Sequence, residues 1–593
     1  MITLTQGGNL HPSAHAFMLT RCRSAALFHI ATGLIALMLL ESSRSNAQSP
    51  DNATLNIAKE RFARIVAAEL ERKLTPGFSV AWIVDGKTVH EAGYGLADWE
   101  QGIPATAHTI YRAGSISKLF NAVAAMQLVE QGKIDLDAPT QRALPDFQIV
   151  VPFDDAIPVT VRQMLCHRSG MIREAPVGGY LDPTQPTVTA SVASVDSCAL
   201  VNPPNTKTRY SNVGPTIVGR AVEVLSGTPY VEYQQKNLLD PLGMKNSAWL
   251  LNDALRPRLA KAQMRVAVGD GTYRDEAAPQ FELGTIPAGN LYSTAGDLAR
   301  FASWVMTNVD KKADEATILK PESLAEMCRV QFTNESTGFG LGFRIDSHRG
   351  HKSIHHGGAV YGFSTLVIML PEAKIAAVVL SNADICSAPV KRLAEASLDL
   401  LLETYRSEPT PAKTEILSLP AKELDEFAGE YESIGYWAQL SVKNGKLVGD
   451  FSGQKIELDA IEPLKFQANG RIMHRNPFEF HRDASGKVTG FTASGQKFER
   501  IDAGKSTRAP EAWKKLVGNY GPKFIPLVVS IRNGHLYATA ENEYDYRLTP
   551  INRVTFRLPP GMYDDEHVVF QLDPKGNALG VVMANMYLPR QSR

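Results

Sequence analysis

A repeat of about ninety residues runs through the C-terminal part of the chain and limits the folds open to it. Gly429-Glu430-Tyr431 recurs as Gly518-Asn519-Tyr520, and Asn444-Gly445 as Asn533-Gly534. Phe480 with Asp483 and Gly486 recurs as Phe570 with Asp573 and Gly576, and Arg500 as Arg590. Each copy is a series of short alternating segments separated by turn residues, the pattern of antiparallel hairpins. The repeat therefore predicts two small antiparallel β-barrels, 417–505 and 506–593. They read first as stability or assembly modules, and as candidates for homo-oligomer contacts. The sharper alternative is that a loop from one of them reaches a catalytic cleft and limits substrate size.

Ser407-Glu408-Pro409-Thr410-Pro411 breaks the pattern upstream, which predicts a linker over 407–416. Before it, residues 48–406 mix helix and strand. Phe78 to Val84 reads as a buried strand, Asp85-Gly86 as a two-residue turn and Lys87 to Gly95 as the returning strand. Ser364 to Leu370 and Ile375 to Leu380 form a second pair. Strands at both ends with helices between predict an α/β (α+β) unit, an antiparallel sheet flanked by helices, and not a run of βαβ repeats.

Arg21 and Arg23 precede an apolar run from Ala25 to Leu40, and Ser45-Asn46-Ala47 offers small residues for cleavage before Gln48. Residues 1–47 thus read as a signal peptide, with Met18 as the expected start, and predict a periplasmic or secreted bacterial protein without a membrane span in the mature chain. Lys plus Arg equals Asp plus Glu at 62 each, so bulk charge offers nothing to nucleic acid. Cys166, Cys198, Cys328 and Cys386 are too sparse for a disulfide scaffold, which leaves room for one bridge at most, and no C-x-x-C spacing points to zinc.

The chemistry is carried by three elements. Ser115-Ile116-Ser117-Lys118 is an S-x-x-K motif whose Ser and Lys share a face of the amphipathic helix expected after Ser115. The same spacing occurs at Ser452-Gly453-Gln454-Lys455 and Ser494-Gly495-Gln496-Lys497, but those lie in the β-repeats, where no helix follows. In Tyr210-Ser211-Asn212, a phenol beside a lysine is expected to have its pKa pulled down and to accept the serine proton, while Asn212 holds Lys118 and a substrate carbonyl. In His356-Gly357-Gly358, the glycines let substrate backbone lie against a strand, and the N–H of Ala359 joins that of Ser115 as oxyanion donor. His356 is expected to polarise Tyr210 or bind a substrate carboxylate. His348, His351, His355 and His356 also invite a metal reading, but strand and turn without nearby acidic ligands argue against one, and no cofactor is expected.

In this order, the three elements resemble the serine β-lactamase and penicillin-binding-protein superfamily, whose set is S-x-x-K, Y-x-N and K-T-G. The chain is similar to its class C branch over roughly Asn56 to Leu402, including Met164 to Gly170, Pro241-Leu242-Gly243-Met244 and Ser293 to Leu298. The resemblance implies a β-lactamase-like sheet with a helical subdomain, Ser115 as nucleophile, Lys118 and Tyr210 as base pair, and Asn212 as positioner. His356 takes the place of the K-T-G lysine. His-x-Gly resembles the D-aminopeptidases and some D-alanyl-D-alanine carboxypeptidases, which implies a peptidase or amidase on short peptides, including D- or unusual residues. A β-lactamase or carboxylic esterase is the alternative, and a non-hydrolysing penicillin-recognising protein the third.

Overall fold

Residues Phe78 to Val84 are apolar on both faces save for Ser79, and a strand of that composition needs cover on both sides. It forms β1 (Gly77–Val84), buried along its whole length. The computed structural model describes residues 52–593 apart from 270–271, 310–317, 334, 413, 502–506 and 593. Asp85 and Gly86 both take positive φ, 49° and 75°, the turn that matches strand twist, and β2 (Lys87–Asp98) returns from it. The other strands of the sheet are β3 (Ile103–Pro104), β4 (Gly338–Phe339), β5 (Arg344–His348), β6 (His351–Val360), β7 (Phe363–Leu370) and β8 (Ile375–Ser381). The order is β3-β2-β1-β8-β7-β6-β5-β4, antiparallel throughout. Pairing of β1 with β8, Phe78 opposite Ser381, joins the N- and C-terminal segments of this unit into one sheet, as expected.

One face of the sheet is covered by α1 (Asn52–Glu71) and α5 (Ser387–Arg406), through Phe62, Val66, Leu393 and Leu401 against Trp82, Val80 and Leu366. The other face meets α4 (Ala295–Asn308) and the helical subdomain, which includes α2 (Ser117–Glu130) and α3 (Val213–Ser226). The expectation of an amphipathic α2 is corrected. Eleven of its residues are buried, from Ser117 to Leu128, because subdomain and sheet enclose it on all sides.

Of the two expected barrels, one closes. Eight strands from Gly429–Glu432 to Gln496–Arg500 form a closed barrel, with Tyr431 opposite Arg500. The second copy forms a four-stranded and a five-stranded sheet, which touch through the isolated bridge Tyr520–Arg590. The cause is local. The long strand Gln454–Glu462 serves both halves of the barrel, whereas its counterpart is broken at Leu548 into Tyr544–Arg547 and Thr549–Pro550, and Pro550 has no N–H to extend a ladder. The repeat itself is kept in side-chain roles. Tyr431 and Tyr520 donate to Phe427 O and Leu516 O at 2.8 and 2.5 Å. Arg500 and Arg590 donate to Ala428 O and Val517 O at 2.5 and 2.6 Å.

The Pro-rich break is irregular but tied down, since Glu408 meets His351 at 3.0 Å and Thr410 meets Glu403 at 2.5 Å. Leu55–Arg593 is one compact unit. Cys166, Cys198 and Cys386 are buried free thiols, and Cys328 is buried as well. The signal peptide expected over residues 1–47 lies outside the described residues. No helix among those described is long and apolar enough to cross a membrane.

Candidate active site

Ser115 stands one turn ahead of α2, in the 3₁₀ turn Gly114–Ile116. Two glycines let β6 come against that turn. Gly114 has φ +56°, and a Cβ there would be 2.8 Å from Ala359 N. A Cβ on Gly358 would be 2.0 Å from Ala113 O and 2.3 Å from Thr365 Oγ1. The N–H of Ala359 is thereby brought beside the Ser115 turn, as the oxyanion assignment requires. Ser117 Oγ closes the turn on Gly114 O at 2.6 Å and accepts from Leu291 N at 3.0 Å.

Lys118 is 2% exposed. Its Nζ donates to Ser115 Oγ at 3.0 Å, to Asn212 Oδ1 at 2.7 Å and to Ala288 O at 2.7 Å. Burial pulls its pKa down to about 7, with Arg173 adding to the fall and Glu174 opposing it. Asn212 occupies the N-cap of α3 but does not cap it. Ser211 Oγ accepts from Val213 N instead, which leaves Asn212 Nδ2 to hold Glu174 Oε1 at 2.5 Å. Glu174 is 1% exposed, accepts from Tyr180 N at 3.1 Å, and is held above the usual carboxylate range by burial.

Tyr210 packs between rings and cations. His167 stacks at 4.3 Å, Lys118 Nζ is 5.0 Å from the ring centroid, and Arg173 lies at 5.7 Å. The expected fall in the Tyr210 pKa is corrected. Burial pushes the phenol up to about 12, although a hydrogen bond with Ser115 works the other way. Between the two, Lys118 is the group nearer to neutral-pH titration. His356 is corrected in part as well. It is buried beside Lys118, which together pull its pKa down to about 3, so it is a neutral imidazole and no carboxylate-binding cation. Its Nδ1 meets Gly357 O at 2.6 Å, its ring is 6.3 Å from that of Tyr210, and Nε2 is buried with no partner. The other histidines of the group have other work: His348 meets Asp399 at 2.9 Å and His351 meets Glu408. Among the described residues, no group of three or more His, Cys, Asp or Glu is placed to hold a metal ion.

A cavity of about 620 Å³ opens at Ser115, lined also by Tyr210, Asn212, His356, Gly357, Gly358 and Ala359, which unites the residues singled out in the sequence except Lys118, buried behind them. Its far walls come from the C-terminal repeats. Ile472 belongs to the closed barrel, and Glu541, Glu543 and Met562 to the second copy. Glu541 and Asn542 form a hairpin tip at φ 51° and 57°, which presents Glu541 to Arg173 through two bonds of 3.1 and 3.2 Å. Tyr563 donates to the same carboxylate at 2.6 Å. Glu566 accepts from Arg209 at 2.7 Å and from Arg173 N at 3.0 Å. A loop from the second copy therefore reaches the cavity.

Arg173, Glu174 and Glu541 escaped the sequence reading. Arg173-Glu174 follows the Ser169-Gly170 segment without a motif of its own, and the tip carries no glycine to mark its left-handed pair. The two S-x-x-K decoys are hairpin turns, Ser452-Gly453 and Ser494-Gly495, all at positive φ.

A family model described as Beta-lactamase matches residues 62–400. "Penicillin-binding protein 4" of Amycolatopsis lactamdurans is 30% identical over 326 residues, 53% of this chain and 82% of that protein. An "Unguisins hydrolase" of Aspergillus campestris is 25% identical over 339 residues, 54% of this chain, which spans only 61% of that relative. Among solved structures, the octameric penicillin-binding protein homologue from Pyrococcus abyssi aligns with a TM-score of 0.53 at 23% identity, over 74% of this chain and 99% of that one. That likeness is one of fold.

Proposed function

The chain belongs to the Beta-lactamase family, and we propose that it is a serine hydrolase that forms an acyl-enzyme at Ser115 and cleaves amide bonds in short peptides, including those with D- or unusual residues. One observation carries the reading: Ser115 Oγ lies 3.0 Å from a lysine whose pKa is brought to about 7 by burial. Neutral Lys118 takes the Ser115 proton as Oγ bonds to the substrate carbonyl carbon. The N–H groups of Ser115 and Ala359 hold the oxyanion. Tyr210, protonated throughout the neutral range, passes a proton to the leaving amine as the C–N bond breaks, and the proton that Lys118 took from Ser115 replaces it on Tyr210. Water then attacks the ester, with Lys118 again as base, and frees Ser115.

Two features favour peptide amides over β-lactams. The K-T-G position holds a neutral His356, which offers no fixed charge to a lactam carboxylate. The cleft wall instead holds the carboxyl of Glu543, which burial raises to about 7 and which a substrate ammonium, as the ion-pair partner it lacks among the described residues, would hold ionised. The class C branch and export to the periplasm or medium belong to the same proposal.

Ser115→Ala should abolish hydrolysis and leave the thermal transition in place, and intact-mass spectrometry should lose the acyl adduct with it. Side-by-side rates on a chromogenic cephalosporin, a nitrophenyl ester and D- and L-aminoacyl anilides test the substrate class. Strong cephalosporin turnover without anilide turnover would overturn the peptide reading.

A further inference from the structure

The cavity at Ser115 continues beyond the edge of the sheet. His356 and Gly358 of β6 are paired with Val367 and Thr365 and face the nucleophile, while Gly357 and Ala359 are paired with Leu366 and Ser364 and face the other way. Past Gly357 and Ala359 the space extends over the outer face of β6 and β7, with Leu366 and Ile368 as floor and Val390 of α5 as side wall. At 9% and 8% exposed, Leu366 and Ile368 are the most open positions of β7.

The wall of this arm is a built structure. The turn after Gly470 of the barrel is docked on α5. Arg471 O accepts from Ala388 N at 3.0 Å, Arg471 Nη2 donates to Asp384 O at 3.0 Å, and His474 Nε2 meets Glu395 at 2.8 Å. Those bonds hold half-buried Ile472 against the cavity. Ile385, next to the Asp384 that Arg471 holds, lines the cavity with φ +51°. A β-branched residue in the left-handed region is an outlier that persists only where its surroundings impose it, and such residues cluster at ligand sites. Here Cys386 N, bonded to Ser364 Oγ at 3.1 Å, is part of what imposes it.

We propose that this arm is a binding subsite for an apolar side chain of the substrate, bounded by Ile385 and Ile472. Its floor and one wall are aliphatic, and the charged members of the cavity lining about it, Arg344, Asp346, Asp384, Lys391 and Glu395, carry both signs, so no single charge is favoured and the group it takes is aliphatic or aromatic and uncharged. The subsite rests on the reading that Ser115 attacks a peptide amide. It assigns to the barrel a role in substrate choice.

Dipeptide amides and anilides with Gly, Ala, Leu or Phe on either side of the scissile bond test it, with the full chain and its Ile472→Ser and Ile385→Gly variants. The glycine variant relieves the left-handed backbone, which protects its folding. The expected result is a kcat/KM about tenfold or more higher for Leu or Phe than for Ala at one position, and a preference largely erased in both variants. A flat series in the wild type, or an unchanged preference in both variants, overturns the subsite. Labelling of Ser115 by a fluorophosphonate probe separates the two levels. A labelled Ser115 with a flat series defeats the subsite alone, and absence of both labelling and hydrolysis defeats the acyl-enzyme reading with it.

Discussion

Arg173 and Glu541 are 368 positions apart in the chain and meet in a two-bond pair at the wall of the Ser115 cavity. Their side chains are 14% and 8% exposed, and Arg173 also lies 3.7 Å from Glu174, which holds Asn212. The C-terminal repeat is thus linked to the lysine by a continuous run of polar contacts.

Removal of one partner from a buried pair strands the other charge and typically costs about 3–5 kcal/mol. Glu541→Ala should lower the thermal transition accordingly and slow acylation, because freed Arg173 turns towards Glu174 and competes with Asn212 for it. An unchanged acylation rate in a variant of lowered stability would confine Glu541 to a structural role.

Lys118, lowered to about 7, governs the acid side of the pH profile. Its neutral, proton-accepting form grows as pH rises through that value, so kcat/KM should climb between about pH 6 and 8. No basic limb from Tyr210 is expected below about 12. Lys118→Arg stays charged and should lose nearly all turnover. A profile flat across neutrality would contradict the lysine as base.

His356 is neutral when folded, with a pKa of about 3 against an ordinary 6.5. Between those values the unfolded chain binds the extra proton, so stability falls as pH falls through the window, and this contribution is intact above 6.5. Denaturant titrations of the wild type and His356→Asn should therefore converge, or cross, as pH drops from 7 to 4. A pH-independent difference would show that His356 is not the buried neutral base described.

Gly358→Ala would drive a methyl into Ala113 O and Thr365 Oγ1, and β6 would have to move off the Ser115 turn. Ala359, the proposed oxyanion donor, moves with it. Loss of one such donor costs about 10²–10³ in turnover, and a fall of that size in kcat, with the fold retained by circular dichroism, is the expected outcome.

The sheet and the residues gathered at the candidate site were legible because they rest on local patterns. Phe78 to Val84 is apolar enough to be read as a strand, Asp85-Gly86 names its turn, and Ser115, Lys118, Tyr210, Asn212 and His356 come in short motifs. The repeat was legible as a repeat, yet closure was not, since a break at Leu548 and the missing N–H of Pro550 decide it. Two pKa directions escaped for one reason. Proximity to a lysine argues for an acidic phenol, but the burial that outweighs it, with Tyr210 enclosed by His167 and Arg173, is a tertiary property. Glu541 escaped because nothing in a hairpin tip announces which distant arginine it will meet.

The left-handed pair Glu541-Asn542 has a consequence for biosynthesis. Ser115 and Lys118 leave the ribosome hundreds of residues before the tip that walls their cavity. Until that tip is made and docked, Arg173 lacks the Glu541 carboxylate and Ser115 faces an open trough. Such a nascent chain carries Ser115 and Lys118 without the enclosing wall, which is completed only as the second repeat folds onto it. The polar groups of the site and the walls of its cavity thereby arrive at different moments in the life of the polypeptide.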